Sequence, residues 1–519
     1  MGLPVKPFPR FFIYNCGNCT SGGSRVNRPR HLSGIGIGSI GYSRSISIAR
    51  RKQRKEKLRA ATRGRARGKG GLGTAVVLAT VMILAASIAS TSAVDKKAEA
   101  NAGFSTFTTP VVVNDNNANT QIAPSAVTGT SGEILVAWQD SRSGNEDVYF
   151  SKSVDEGGSF QANTRVDDGP GTSKQIEPMG AIADNGTIYV VWQDNRSSVI
   201  DYDVYMTSSS NGGSEFATDK KVDDSNNTIS WQERPAIAVS SDGVILVAWT
   251  DDRSDIFRIR MTYSTDGGSS FTPSFEIPSS PDPGSGQTSV TVAANSAMFF
   301  IAYLDNASGL THPYLTVTDT SFGAFGTPVR LDDTGTPGSA QRAVSIAPHL
   351  DRGVVAVWED SRNGGWDVFG AVVSSSGNVE GPDFRVDDSP SGWDQRDPAI
   401  GTDIAGNIYA VWEDDRDDKY TIRFSYAVAG ESFFQPSVAI SAPGSNDFQR
   451  KPVMCVLRPG TIVVIWQDDS QGTYDIFASR GYIAELDIDI PEFSEAVVPL
   501  IVLASLVIVI TARRNRRER

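Results

Sequence analysis

A tryptophan followed two residues later by an aspartate recurs along this chain about every 54 residues, and that recurrence restricts the fold more than any other feature. The copies read Trp138-Gln-Asp-Ser-Arg142, Trp192-Gln-Asp-Asn-Arg196, Trp249-Thr-Asp-Asp-Arg253, Trp358-Glu-Asp-Ser-Arg362, Trp412-Glu-Asp-Asp-Arg416 and Trp466-Gln-Asp-Asp-Ser470. Tyr303-Leu-Asp305 fills the gap between the third and fourth of these. A glutamine stands 17 residues before each Trp, at Gln121, Gln175, Gln232, Gln341, Gln395 and Gln449, and Gln287 stands 16 before Tyr303. Two independent markers at one period define seven copies of a single supersecondary unit.

Each copy reads as short strands joined by turns. In the third, Pro235–Val239 is expected as a strand, Ser241-Asp242-Gly243 as a hairpin turn and Val244–Trp249 as a second, almost wholly apolar strand. A third strand follows from Ile256 to Tyr263, then a Gly-rich turn and one more strand. Four antiparallel strands with no helical period describe a propeller blade, and a strand apolar throughout suits packing on both faces. Val111–Asp115 aligns with the outermost strand of later copies, while the last copy stops after its third strand at Tyr474–Ser479. The N-terminal strand is therefore expected to complete the seventh blade and close the ring, leaving no free sheet edge. The fold class is all-β, a seven-bladed propeller over residues 109–485.

The flanks differ in composition. Residues 1–73 carry a net +16 and residues 511–519 a net +4, so the chain's total of -12 leaves -32 for the body between them. An acidic body argues against nucleic acid as a partner. The basic segment 1–73, the apolar run 74–93 and the small-residue site Thr91-Ser92-Ala93 have the order of a secretory signal. Cleavage after Ala93 is the preferred reading; an uncleaved anchor is the alternative. Residues 94–108 and 486–495 read as linkers. The apolar run 496–512 is just long enough for a transmembrane helix, and the Arg-rich tail 513–519 is expected to stay cytoplasmic. Pro491-Glu492-Phe493, this apolar run and the terminal arginines also resemble the sorting tails of archaeosortase and exosortase substrates. That resemblance implies cutting near the motif and attachment to the cell surface; a plain C-terminal anchor gives the same location. Cys16, Cys19 and Cys455 supply no disulfide framework, and His31, His312 and His349 are too scattered to suggest a metal site.

Three of the Gly-rich turns carry a family resemblance. Ser153-Val-Asp155-Glu-Gly157-Gly-Ser-Phe160 and Ser264-Thr-Asp266-Gly-Gly268-Ser-Ser-Phe271 match S-x-D-x-G-x-x-F. Ser209-Ser-Asn211-Gly-Gly213-Ser-Glu-Phe216 matches with Asn for Asp. These turns resemble the Asp boxes (BNR repeats) of the sialidase superfamily, in which such boxes hold a hairpin together and lie opposite the ligand face. The resemblance implies a ligand site on the face of the Trp-x-Asp-x-Arg loops. A sialidase would also need an arginine triad, a Tyr–Glu pair, an Asp acid/base and an Arg-Ile-Pro motif. Here Phe257-Arg258-Ile259-Arg260 comes closest to that motif, in the wrong blade, and no catalytic residue is assigned.

Candidate ligand-binding residues follow from this geometry. Arg142, Arg196, Arg253, Arg362 and Arg416 are placed to ring an anionic group, or else each pairs with a neighbouring Asp to tie blades together, which their repetition favours. The acidic pairs Asp167-Asp168, Asp223-Asp224, Asp332-Asp333 and Asp387-Asp388 suit either Ca²⁺ or turn capping, and no other cofactor is implied. Trp231, Trp366, Trp393 and Phe448 break the repeat on the same face and suit either sugar stacking or local packing. Asn185, Asn195, Asn226 and Asn306 are sequons. The leading expectation is a surface-displayed binding or adhesion module for glycans or cell-envelope proteins. A glycoside hydrolase and a purely structural envelope protein are the alternatives.

Overall fold

The computed structural model describes residues 107–486, except 130, 170, 199–200, 226–229, 278–283, 334–337, 351, 432 and 441–446. The basic N-terminal segment, the apolar run 74–93, the Pro-Glu-Phe motif, the apolar run 496–512 and the terminal arginines lie outside the described residues, as do Cys16, Cys19 and His31. No helix among the described residues is long and apolar enough to cross a membrane.

Among the described residues there are seven four-stranded antiparallel sheets, one for each repeat. Blades 1 to 6 span residues 121–165, 175–221, 232–276, 287–330, 341–385 and 395–439. Blade 7 takes three strands from residues 449–482 and its outermost strand from Val111–Val112, which pairs antiparallel with the strand Asp475–Tyr482. The expected closure is therefore present, and the fold is an all-β, seven-bladed propeller.

Inter-blade packing explains the apolar second strands. Along Ile245–Asp251 of blade 3, Ile245, Val247 and Trp249 pack with Tyr189 and Val191 of blade 2. The alternate residues Leu246 and Ala248 pack with Phe299, Ile301 and Tyr303 of blade 4. A strand with period-two side chains thus feeds two cores at once. Seven such cores follow one another around the ring. Cys455 sits fully buried in one of them, its thiol pushed up to about 12 by burial. Each repeat Trp is buried and donates its indole N–H to the Asp two residues on, as in Trp138 to Asp140 at 2.9 Å and Trp412 to Asp414 at 3.0 Å.

The repeat glutamine begins the innermost strand and also joins blades. Its backbone N–H donates to the carbonyl of the residue just before the third strand of the preceding blade, from Gln175 to Glu146 at 2.8 Å through to Gln121 to Tyr474 at 2.8 Å across the closure. In blade 3 this strand begins at Gln232, three residues earlier than expected from periodicity. The cause is a bulge: Gln232 and Glu233 pair with Asp251 and Thr250, then the register shifts before Ala236. Arg234, in the bulge, has φ of 51°. The bulge recurs in every blade, with φ between 45° and 55° at Ala123, Glu177, Arg234, Ser289, Ala343, Asp397 and Lys451. A non-glycine residue there costs about 1 kcal/mol or more, so seven repetitions mark a feature held by its surroundings.

The turns that match S-x-D-x-G-x-x-F share one hydrogen-bond pattern. Ser153 Oγ accepts from Gly157 N–H at 2.9 Å and donates to Asp155 Oδ1 at 2.8 Å, which accepts from Ser159 N–H at 2.9 Å. Ser209, Asn211 and Gly213, and Ser264, Asp266 and Gly268, repeat it. Phe160, Phe216 and Phe271 pack from these turns onto the inter-blade cores. At Gly213, with φ of 83°, a Cβ would lie 2.2 Å from the Phe150 ring. These turns lie at the end of the blades opposite the Trp-x-Asp loops, because successive antiparallel connections alternate between the two faces.

Candidate functional site

The five repeat arginines are each held by carboxylates. Arg142 reaches Asp140 and, across the closure, Asp115, both at 2.7 Å. Arg196 reaches Asp194 and Asp219 at 2.6 Å and Asp168 at 2.9 Å. Arg253 binds Asp251 and Asp224, Arg362 binds Asp360 and Asp383, and Arg416 binds Asp414 and Asp388. Arg142, Arg196 and Arg362 also lie 4.0 to 4.3 Å above the rings of Tyr149, Tyr205 and Phe369. In four of these five arginines the second carboxylate comes from the turn that enters the arginine's own blade from the one before it. The arginines therefore join the exit of one outermost strand to the loop of the next blade.

The acidic pairs divide their work. The first member accepts the basic residue two positions earlier, as in Arg165 to Asp167 at 2.7 Å, Lys221 to Asp223 at 3.5 Å, Arg330 to Asp332 at 2.5 Å and Arg385 to Asp387 at 2.7 Å. The second member clips the next blade: Asp168 pairs with Asp219, Asp224 with Ser274, Asp333 with Asp383 and Asp388 with Ser437. Among the described residues no group of three His, Cys, Asp or Glu is arranged to hold a metal ion.

One clip is electrostatically costly. Burial, together with the Asp168 carboxylate beside it, pushes the Asp219 carboxyl up to about 7. A folded-state value above the unfolded one means the native state binds the proton more tightly. The penalty is therefore fully present above pH 7 and disappears as pH falls toward 4. The same position in blade 1 is Asn163, which makes the equivalent contacts with Asp115 without a second charge. Asp219→Asn is expected to raise the melting temperature by a few degrees at pH 8, on the order of 1–2 kcal/mol, and by nothing measurable at pH 4. Thermal denaturation of both proteins across that range checks it.

A different group of residues breaks the sevenfold pattern, on the same face, at the inner rim of blades 5, 6 and 7. The position after the repeat glutamine is Ile122, Ile176, Glu233 and Thr288 in blades 1 to 4, then Arg342, Arg396 and Arg450. The position after the repeat Trp or Tyr is Gln, Gln, Thr or Leu in blades 1 to 4 and Gln467 in blade 7, but Glu359 and Glu413 in blades 5 and 6. Folding brings both sets together. Arg342 pairs with Glu359, and Arg450 with Glu413 at 3.3 Å. The bulge N–H of Asp397 donates to Glu359 at 2.7 Å and that of Lys451 to Glu413 at 2.8 Å. Lys451 Nζ reaches Asp397 at 2.9 Å. Glu359 and Glu413 are almost completely buried. Burial, and for Glu413 the neighbouring Asp397 as well, raises both glutamic acids. Burial acts upward on Asp397 too, but Lys451 more than offsets it and holds that carboxylate low.

Aromatic side chains roof this rim. The Arg342 guanidinium lies 3.8 Å above Trp366, and Tyr420 is flanked by Arg450 at 4.0 Å and Arg396 at 5.4 Å. Arg450 is also 5.8 Å from Phe448. Trp366 donates its backbone N–H to Asp394 at 3.1 Å, and Asp394 pairs with Arg396. Gly365 is required here, because a Cβ would sit 2.6 Å from the Trp393 carbonyl oxygen. Trp366 and Phe448 therefore belong to one strip, which the Trp393 backbone adjoins at Gly365, whereas Trp231, 45% exposed, stands apart in blade 3. Two buried groups of this strip have no hydrogen-bond partner among the described residues: Arg396 Nε and the whole side-chain amide of Gln395. The other six repeat glutamines each have at least one amide partner.

No family model matches the chain, and no curated protein matches it in sequence. Solved structures resemble it at a distance. A Dyadobacter fermentans protein of unknown function is 14% identical, with a TM-score of 0.45 over 74% of this chain and 100% of that one. A polysaccharide lyase described as an ulvan lyase is 12% identical, with a TM-score of 0.49 over 73% and 96%. A leech intramolecular trans-sialidase is 13% identical, with a TM-score of 0.42 over 72% and 69%. Similarity this remote assigns no chemistry.

Sequence reading did not find the three inner arginines or the two glutamic acids. Their signal was nonetheless present, one residue beyond each repeat marker.

Proposed function

We propose that this chain is an exported propeller, held at the membrane by its C-terminal apolar segment, that binds acidic glycans on the Trp-x-Asp face. The binding site in this reading is the inner rim of blades 5 to 7. The observation that carries it is the local loss of sevenfold symmetry there. Arg342, Arg396 and Arg450 form an aromatic-lined strip in which each guanidinium is held by a single carboxylate, on a body whose formal charge is strongly negative. Arginine forks suit carboxylate or sulfate groups, and aromatic faces suit sugar rings. The five repeat arginines each hold at least two carboxylates and take no part in this site, whereas the three inner arginines hold one each.

A glycoside hydrolase is the second reading. The buried Glu413, raised by burial and by Asp397, is the observation that favours it. Its complete burial beneath Arg450 argues for holding that arginine rather than for meeting a substrate.

A glycan array together with fluorogenic glycoside assays separates the readings. Binding to acidic glycans without turnover, weakened tenfold or more by Trp366→Ala or Trp393→Ala and unchanged by Trp231→Ala, is the expected result. Turnover abolished by Glu413→Gln would favour the hydrolase. Silence in both assays would leave a structural role.

A further inference from the structure

The two faces of the propeller differ in where the chain comes and goes. Thr108 donates its backbone N–H to the Arg480 carbonyl at 2.9 Å, and the Phe107 ring lies against Gly481, so the closing strand enters from the face of the Gly-rich turns. The chain also leaves there: Ile483 N–H donates to the Gly460 carbonyl at 2.7 Å, beside the first hairpin of blade 7, and the described residues end at Leu486. Residues 487–495 separate that point from the apolar run 496–512. Nine residues span at most about 30 Å.

The same face carries the most exposed apolar side chains. Among the described residues, only four large hydrophobic residues are more than half exposed: Val154 at 69%, Leu350 at 67%, Ile404 at 70% and Phe433 at 59%. All four sit in turns of this face, in blades 1, 5 and 6, on either side of blade 7. Leu350 and Ile404 also line, with Leu457 and Pro459, an open cleft of about 550 Å³. The first hairpins of blades 1, 2, 3, 4 and 7 instead present Ser131, Asn185, Asp242, Ser296 and Arg458. Among the described residues, the large apolar tips more than half exposed thus lie in blades 5, 6 and 1, which bracket the chain's exit in blade 7, and none lies in blades 2, 3 or 4. Isolated exposed apolar residues need no explanation, but a set confined to the tethered sector does.

We propose that this sector rests on the lipid bilayer, with Val154, Leu350, Ile404 and Phe433 dipping into its interface. The inference rests on the reading of residues 496–512 as the membrane anchor. A short tether holds the sector within reach of the lipid, and four apolar tips then add contact at little further entropic cost. The opposite face, with the arginine and aromatic strip, is turned away from the membrane toward the outside.

The test uses the full chain with Cys16→Ser and Cys19→Ser, leaving Cys455 buried. Single cysteines at Leu350→Cys, Ile404→Cys and, on the other face, Leu310→Cys take an environment-sensitive fluorophore. The protein is placed in phosphatidylcholine vesicles containing spin-labelled lipid. Flotation with the vesicles, and at least twofold quenching at positions 350 and 404 with none at 310, is the expected result. Flotation with no quenching at 350 and 404 overturns the proposal while leaving the anchor intact. Failure to float overturns the anchor reading and the proposal with it. Labels shielded without lipid quenching, in a form that cross-links between copies, assign the sector to a second copy of the chain instead.

Discussion

Asn114→Asp is expected to destabilise the propeller by about 3 kcal/mol at pH 8, although the substituted residue is an aspartate in other blades. Four blades end their outermost strand with an Asp at this position, and each has a cation two residues earlier: Arg165, Lys221, Arg330 or Arg385. In blades 1, 2 and 5 that cation also neutralises a second buried aspartate, Asp147, Asp203 or Asp367. In the closing blade the cation is replaced by Val112 and the acid by Asn114. Asn114 donates to Asp475 at 2.7 Å, and its oxygen accepts the Ile476 N–H at 2.7 Å. Asp475 is fully buried and already raised by burial. A second carboxylate there would repel the first with no cation between them. The pair would therefore bind a proton more tightly folded than unfolded, so the loss is greatest above neutrality and shrinks as pH falls toward 4. Adding Val112→Arg restores the charge pattern of the other blades and should recover most of the stability at pH 8. Melting curves of the single and double variants at pH 8 and pH 5 check both parts.

Arg396→Ala combined with Arg450→Ala is expected to lower affinity for an acidic glycan at least a hundredfold. Each arginine contributes a charge-assisted contact of about 1.5–3 kcal/mol, and each tenfold loss corresponds to about 1.4 kcal/mol. Both also flank Tyr420, so their removal frees the ring on both sides. Neutral glycans should lose far less. The fold should tolerate the change, because the remaining Glu413 is already raised and takes up a proton more readily than an ordinary carboxyl. Calorimetric titration of acidic and neutral oligosaccharides, with melting curves as a control for folding, checks the prediction.

Blade number, strand order within a blade and closure by the N-terminal strand were legible because they follow from local period. A Trp buried between blades, an Asp that caps it and a Gln that joins blades must recur wherever a blade recurs, so their spacing reports the architecture directly. The bulge at Arg234 and its six equivalents was not legible, since nothing in Ala, Glu, Arg, Ser, Ala, Asp and Lys announces a positive φ. That conformation is fixed by neighbours: the Asp397 and Lys451 N–H groups are held by Glu359 and Glu413 of the preceding blades. The loop arginines were visible in sequence, but their committed state was decided by which carboxylates the turn from the preceding blade delivers to them.

The amino-acid sequence by itself thus determined the sevenfold ring, because repeating one marker set seven times leaves one way to bury seven apolar strands. Only the tertiary structure decided which departures from the repeat come together. Arg342, Arg396 and Arg450 lie about 54 residues apart in the chain and become neighbours because the innermost strands converge on the axis. The face from which the chain leaves, and the apolar tips around it, were settled the same way. Strand direction sets the face, and only the closed ring sets which blades stand beside the seventh.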